Sequence, residues 1–348
     1  MSHKKPYIWG HMPDGREVIS YPLTRGALYA EILNLGGIVY SLQVANQNGN
    51  QVDVMLGFDT VEEYLNSDTY FGAIIGRYSN RIEEGRFELE GKTYELEVNN
   101  GRNNLHSGKN GFHQYLFWAE YEEAMPYRLV LTGEDTDMNQ GFPGNLQVKI
   151  IYELTEEDGL RITYEATADQ ATPVNMTWHG YFNLDGHDSG NILGHKMQLE
   201  ATHYTPFKDE NMIPSGEIAE VSGTPFDFRE AKTIGRDIET EDVQLAIGGG
   251  YDHNFVFAKE EGFTRVAMVR GAEKAVTMQV YTDRPCMQLY TGNFIVTQKG
   301  KNGAVYNHRQ GFCMETQTYP NAVNCEAFPS DILHPGQVYR TMTEYRFQ

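Results

Sequence analysis

The 348-residue chain is poor in cysteine, in cations and in long apolar runs, and each shortage excludes a class of protein. Its cysteines are Cys286, Cys313 and Cys325, with no CxxC pair among them. So few thiols in so long a chain make no disulfide framework, and no zinc spacing is present. Lysine and arginine number 28 against 48 aspartates and glutamates, a formal net charge of −20. A nucleic-acid partner needs a basic face to displace phosphate counterions, so none is expected. The same balance repels anionic lipid and phosphorylated metabolites at long range and leaves a neutral ligand unaffected. No window approaches the ~18 apolar residues of a transmembrane helix. No apolar stretch follows the basic start of the chain, so neither a signal peptide nor a membrane partner is expected, and the expected location is cytoplasmic. The P-loop, the dinucleotide fingerprint, GxSxG and HExxH are all missing, which leaves no nucleotide cofactor to expect.

What is present is enough apolar and aromatic residue, 40% and 12%, to build a large core. Its periodicity is that of strands. Phe87 and Leu89, then Tyr94, Leu96 and Val98, alternate with charged residues about Glu90-Gly91, which predicts a tight hairpin. Leu146, Val148, Ile150, Tyr152 and Leu154 alternate likewise, and Leu160, Ile162 and Tyr164 resume the pattern after Asp158-Gly159. Residues 38–44 and 52–58 flank a third turn signal, Asn46-Gln47-Asn48-Gly49, and residues 339–347 alternate as well. Helical signals are short. Thr60 before Val61-Glu62-Glu63-Tyr64 predicts a capped helix of about two turns. Neither a long amphipathic helix nor a composition break appears, so the expectation is one all-β domain over 1–348, a large antiparallel β-sandwich.

Three histidines lie in polar, turn-rich segments: Asn104-Leu105-His106-Ser107, Thr177-Trp178-His179-Gly180 and Tyr251-Asp252-His253-Asn254. Neutral histidine donates or accepts a proton near pH 7; each taken alone also suits a histidine that satisfies a turn. Glu315 is the one acid of Gly311-Phe312-Cys313-Met314-Glu315-Thr316-Gln317, facing away from Phe312 and Met314. Two readings of it stand: a base in a closed pocket, or a carboxylate on an edge strand. Arg77, Ser79 and Arg81 share a face if their segment is extended, and a structural ion pair is the expectation for Arg77. His106, His179 and Glu315 are chemically competent as metal ligands, yet nothing in their spacing asks for a metal.

Together these segments resemble the aldose 1-epimerase (galactose mutarotase) family. The resemblance runs through most of the chain. It takes in Asp53-Val54-Met55-Leu56-Gly57-Phe58-Asp59, Gly76-Arg77-Tyr78-Ser79-Asn80-Arg81-Ile82, Asn104-Leu105-His106-Ser107-Gly108 and Gly141-Phe142-Pro143-Gly144. It continues through Thr172-Pro173-Val174-Asn175, Tyr181-Phe182-Asn183-Leu184, Tyr251-Asp252-His253-Asn254-Phe255, Tyr290-Thr291-Gly292-Asn293-Phe294 and the Glu315 stretch. It implies a supersandwich with one open cleft, in which Glu315 is the base, His179 the acid and His106 an assistant beside the ring oxygen. Asn80, Arg81, Asp252 and Gln288 would hold sugar hydroxyls, with no cofactor and no metal. The implied partner is a small free sugar. Opening a hemiacetal ring takes a proton from the anomeric hydroxyl and gives one to the ring oxygen, so one base and one acid are the groups required. The expected pH profile is a bell, with its acid limb from Glu315 and its alkaline limb from His179. The family usually has Asn before the acid and Ser after it, where this chain has Trp178 and Gly180; the large ring is expected to reshape the cleft or stack on a sugar face, and so to alter the choice of sugar. A sugar-binding protein of the same fold has no need of Glu315 and His179 together. A glycoside hydrolase needs two carboxylates across the bond, for which Asp252 and Glu315 are the pair on offer.

Overall fold

The alternating segments become strands. In the computed structural model, which describes residues 4–258, 262–274 and 276–348, Leu146–Leu154 turns Leu146, Val148, Ile150, Tyr152 and Leu154 inward. It pairs in full register with Gly159–Ala168, and the C-terminal strand Tyr339–Phe347 pairs with the latter on its other side. The first three residues of the basic start lie outside the described residues. These strands sit in a nine-stranded antiparallel sheet. Tyr339–Phe347 lies between Gly159–Ala168 and Thr277–Thr282 and so joins the sheet's two halves. Two five-stranded antiparallel sheets pack with it, one from Tyr7 to Asp53 and one of Ala219–Glu220, Ala201–Thr205, Asp252–Phe257, Cys286–Tyr290 and Cys313–Gln317. Tyr345 of the large sheet donates its hydroxyl to the Met314 carbonyl at 2.9 Å, and that contact stacks the two sheets. The all-β sandwich expectation holds.

The local signals hold with two exceptions. Glu90 and Gly91 both have positive φ, 53° and 75°, which is the backbone a two-residue hairpin turn demands. The Thr60 hydroxyl accepts from the Glu63 amide and the Glu63 carboxylate accepts from the Thr60 amide, a complete capping box for Val61–Asn66. The strand expected to run to Val98 stops at Glu95, and Val98 is exposed. The strand expected over 52–58 ends at Asp53. There the Asp53 carboxylate itself accepts from the Leu42 and Met55 amides at 3.3 and 3.2 Å, and this side chain takes the place of a ladder carbonyl. Among the described residues, no helix is long and apolar enough to cross a membrane.

Candidate active site

Strand alternation builds one wall of the site. In the sheet holding Glu315, Asp252 pairs with Tyr290 and Tyr290 with Cys313, while Asn254 pairs with Gln288 and Gln288 with Glu315. Paired residues share a face, so these two polar rows look the same way. The alternate residues Phe255, Met287, Leu289 and Met314 fill the core behind them. The opposite wall comes from turns. His179 follows the short strand Thr177–Trp178, which pairs with Ile74–Ile75. His106 follows Asn104–Leu105 in a left-handed conformation, φ 53°. All seven residues expected from the sequence, His106, His179, Glu315, Asn80, Arg81, Asp252 and Gln288, line one cleft of about 430 Å³.

The chemistry of the cleft is set by burial. Glu315 is 2% exposed, its Oε1 lies 3.7 Å from His179 Nε2, and its Oε2 has no hydrogen-bond partner among the described residues. Burial, reinforced by the nearby Asp252 charge, holds Glu315 well above the usual carboxylate range, against an opposing pull from Arg81. Burial pushes His179 down to about 3. Asp252 is also raised by burial, with Arg81 and the Gln288 amide working against the shift. Gln288 Nε2 donates to Asp252 Oδ1 at 2.7 Å and so aims that carboxylate. Arg81 donates through Nε to the Asn100 side chain at 2.9 Å and through Nη2 to the Met212 sulfur at 3.4 Å.

His106 and Asn80 interlock. The Asn80 amide donates to His106 Nδ1 at 3.2 Å, and the His106 amide donates to the Asn80 carbonyl at 3.1 Å. An amide only donates, so Nδ1 accepts and the neutral ring carries its proton on Nε2. Burial first, then the neighbouring His179, keeps that ring neutral. Ligand atoms of His106, His179 and Glu315 lie within 4.8 Å of one another, close enough to hold a cation. With Nδ1 engaged, a metal at His106 Nε2 would have to displace that proton, so the wiring here favours a fixed hydrogen-bond donor.

Several expectations need correction. Trp178 does not shape the cleft. Its side chain is 1% exposed in the core against Phe182 and Tyr345, and its indole N–H donates to the Gly72 carbonyl at 2.6 Å. A Cβ on Gly180 would lie 2.4 Å from that indole, so the bare glycine and the large ring are one packing solution. Arg77 and Arg81 do not share a face, because Asn80 adopts φ 62° and breaks the alternation before Arg81. Arg77 makes the expected buried ion pair, Nε to Asp135 Oδ2 at 2.8 Å, while Arg81 enters the cleft. His253 faces the core among Phe207 and Phe226, its Nδ1 accepting from the Asp252 amide. Two further residues join the cleft: Tyr70, whose ring packs edge-on to His106 at 4.8 Å, and Met212 behind Arg81. Neither residue type nor spacing marked them.

Trp178→Asn is therefore expected to destabilise the fold by about 3–5 kcal/mol, the cost of emptying a large buried site. Urea denaturation measures this, and the KM ratios among sugars should stay within about twofold of the parent. A changed KM ranking at unchanged stability would put the ring in the cleft after all.

A family model described as Aldose 1-epimerase matches residues 20–346. Galactose mutarotase of Homo sapiens is 41% identical over 344 residues, covering 98% of this chain and 97% of that one. Aldose 1-epimerase of Escherichia coli (strain K12) is 36% identical, covering 96% of each chain. The crystal structure of galactose 1-epimerase from Lactobacillus acidophilus NCFM aligns with TM-score 0.85 at 26% identity, over 100% of this chain and 99% of that one.

Proposed function

The chain belongs to the aldose 1-epimerase family, and from that premise we propose that Glu315 and His179 open and reclose the sugar ring in the cleft. The reaction is the interconversion of the α and β anomers of a free aldose such as galactose or glucose. One observation carries the assignment of roles: a buried carboxylate and a buried imidazole meet at 3.7 Å on opposite walls of one cleft, with Glu315 Oε2 unpartnered among the described residues.

Glu315 takes the proton of the anomeric hydroxyl as the C1–O5 bond breaks and C1=O1 forms. His179 Nε2 gives its proton to the departing ring oxygen, which avoids a free alkoxide. The pair then stands as neutral carboxylic acid and neutral imidazole, the form that burial favours at both groups. Rotation about C1–C2 turns the other face of the aldehyde to the alcohol, and reclosure returns both protons. His106 donates from Nε2 as a fixed hydrogen-bond partner beside the ring oxygen. Asn80, Arg81, Asp252 and Gln288 hold the hydroxyls remote from C1, where binding does not oppose the rotation. The whole chain, 1–348, is read as one functional domain; the insertion of its last strand into the middle of the large sheet supports this.

Polarimetry on freshly dissolved anomers of galactose, glucose, xylose and maltose tests the function and ranks the sugars. Turnover that exhaustive chelation abolished and added metal restored would recast the His/Glu cluster as a metal site. Asp252→Asn is expected to raise KM about tenfold with a smaller change in kcat, as befits a group that holds a hydroxyl in both ground and transition states. An equal fall of kcat and kcat/KM would place Asp252 in the proton transfer instead.

A further inference from the structure

Two histidines face the same cleft with different atoms behind them. His106 has a backbone amide at Nδ1, which forces its proton to Nε2 and makes it a permanent donor. His179 has the Cys313 thiol at its Nδ1, 3.5 Å away. The thiol arrives there by register. Cys313 lies two residues before Glu315 on the same strand, so both side chains project from one sheet face toward the same imidazole. Cys313 is fully buried, and burial, then the charges of Glu315 and Asp252, push its thiol well above its ordinary range. It is thus an uncharged sulfur, a weak acceptor.

We propose that Cys313 is a positioning residue for His179: its sulfur accepts the Nδ1–H and so reserves Nε2 as the atom that exchanges protons with the sugar. The proposal rests on the acid role assigned to His179 above. A proton shuttle at Nε2 requires that the other ring nitrogen keep its hydrogen throughout the cycle. A carboxylate behind the ring would do this and would also stabilise the imidazolium, which makes a weaker acid. A neutral thiol holds the same tautomer without that penalty, so the charged ring gives up its proton more readily. The other titratable groups about the ring are Glu315 at Nε2, His106 edge-on to it, and Tyr70, Tyr181 and Tyr290 beside it. Burial most of all, and the neighbouring His113, disfavour its charge, while a hydrogen bond to its own backbone works the other way.

The test is nitrogen NMR of histidine-labelled protein, with His179 assigned by its loss in His179→Asn. At neutral pH the expected spectrum has His179 protonated at Nδ1 and bare at Nε2, and His106 the reverse. Cys313→Ala should give mixed His179 tautomers and a fall in kcat of about fivefold to tenfold, the worth of one buried hydrogen bond, with KM within about twofold. Cys313→Ser should restore both the tautomer and most of kcat. A hydroxyl is the stronger acceptor, so it should also move the acid limb of kcat/KM to higher pH. A wild-type His179 bare at Nδ1 overturns the proposal, as does a folded Cys313→Ala with unchanged tautomer and kcat. The spectrum is read without turnover, so a failed tautomer assignment is distinguishable from a failed catalytic reading, which would show as full activity in Glu315→Gln.

Discussion

Glu315→Gln is expected to lower kcat by about 10²-fold or more, about 2.7 kcal/mol of transition-state stabilisation, while KM changes little. Glutamine keeps the length and hydrogen-bonding reach of the side chain but cannot take the anomeric proton. Its amide also removes a buried ionisable group, so stability should not fall with activity. Burial holds Glu315 well above the ordinary carboxylate range, with Asp252 adding to the shift. The free carboxyl is therefore protonated well into the pH range where an ordinary glutamate is ionised, and the variant is neutral throughout.

The second large effect is that of His179→Asn, again about 10²-fold or more in kcat, since the ring oxygen would then leave without a proton donor. The two losses should not multiply. If both groups act on one transition state, as proposed, the double variant should lose less than the product of the single losses. The pH profile also follows from the pair. In the proposed mechanism, turnover requires that Glu315 and His179 hold one exchangeable proton between them. With His179 pushed down to about 3, adding a second proton governs the acid limb; with Glu315 raised, loss of the only proton governs the alkaline limb. This reverses the assignment expected from ordinary side-chain values, in which the carboxylate sets the acid limb. The measured constants belong to the pair and not to either residue. Residual activity in Glu315→Gln should lack the alkaline limb, and a kcat/KM profile in which that limb persisted unchanged would assign it to another group.

The sheet was legible because strands advertise themselves by alternation. Leu146 to Leu154 and Tyr339 to Phe347 needed only a period of two and a turn at each end. The seven cleft residues were legible through the family resemblance; polar surroundings alone left each histidine open between a proton carrier and a satisfied turn, and Glu315 open between a base and an edge-strand carboxylate. Trp178 was misjudged for the same reason that strands are readable: the neighbour of a cleft residue points the other way, into the core. Asp53 ended a strand that alternation continued, because a side-chain hydrogen bond to the backbone leaves no trace in hydrophobic periodicity. The contact of Cys313 with His179 left no trace in the sequence because the two lie more than a hundred residues apart. The resemblance implies a role for the Asn80 side chain, yet Asn80 also grips His106 through its backbone amide and carbonyl.

The most direct test is magnetisation transfer between the α and β anomeric signals of a saturating aldose, recorded with the wild-type protein and with Glu315→Gln, alongside calorimetric sugar binding to each. The predicted result is equal binding, with anomer exchange slowed by about 10²-fold or more in the variant. Exchange near the wild-type rate at unchanged binding would contradict the account and leave Asp252 as the carboxylate that takes the proton.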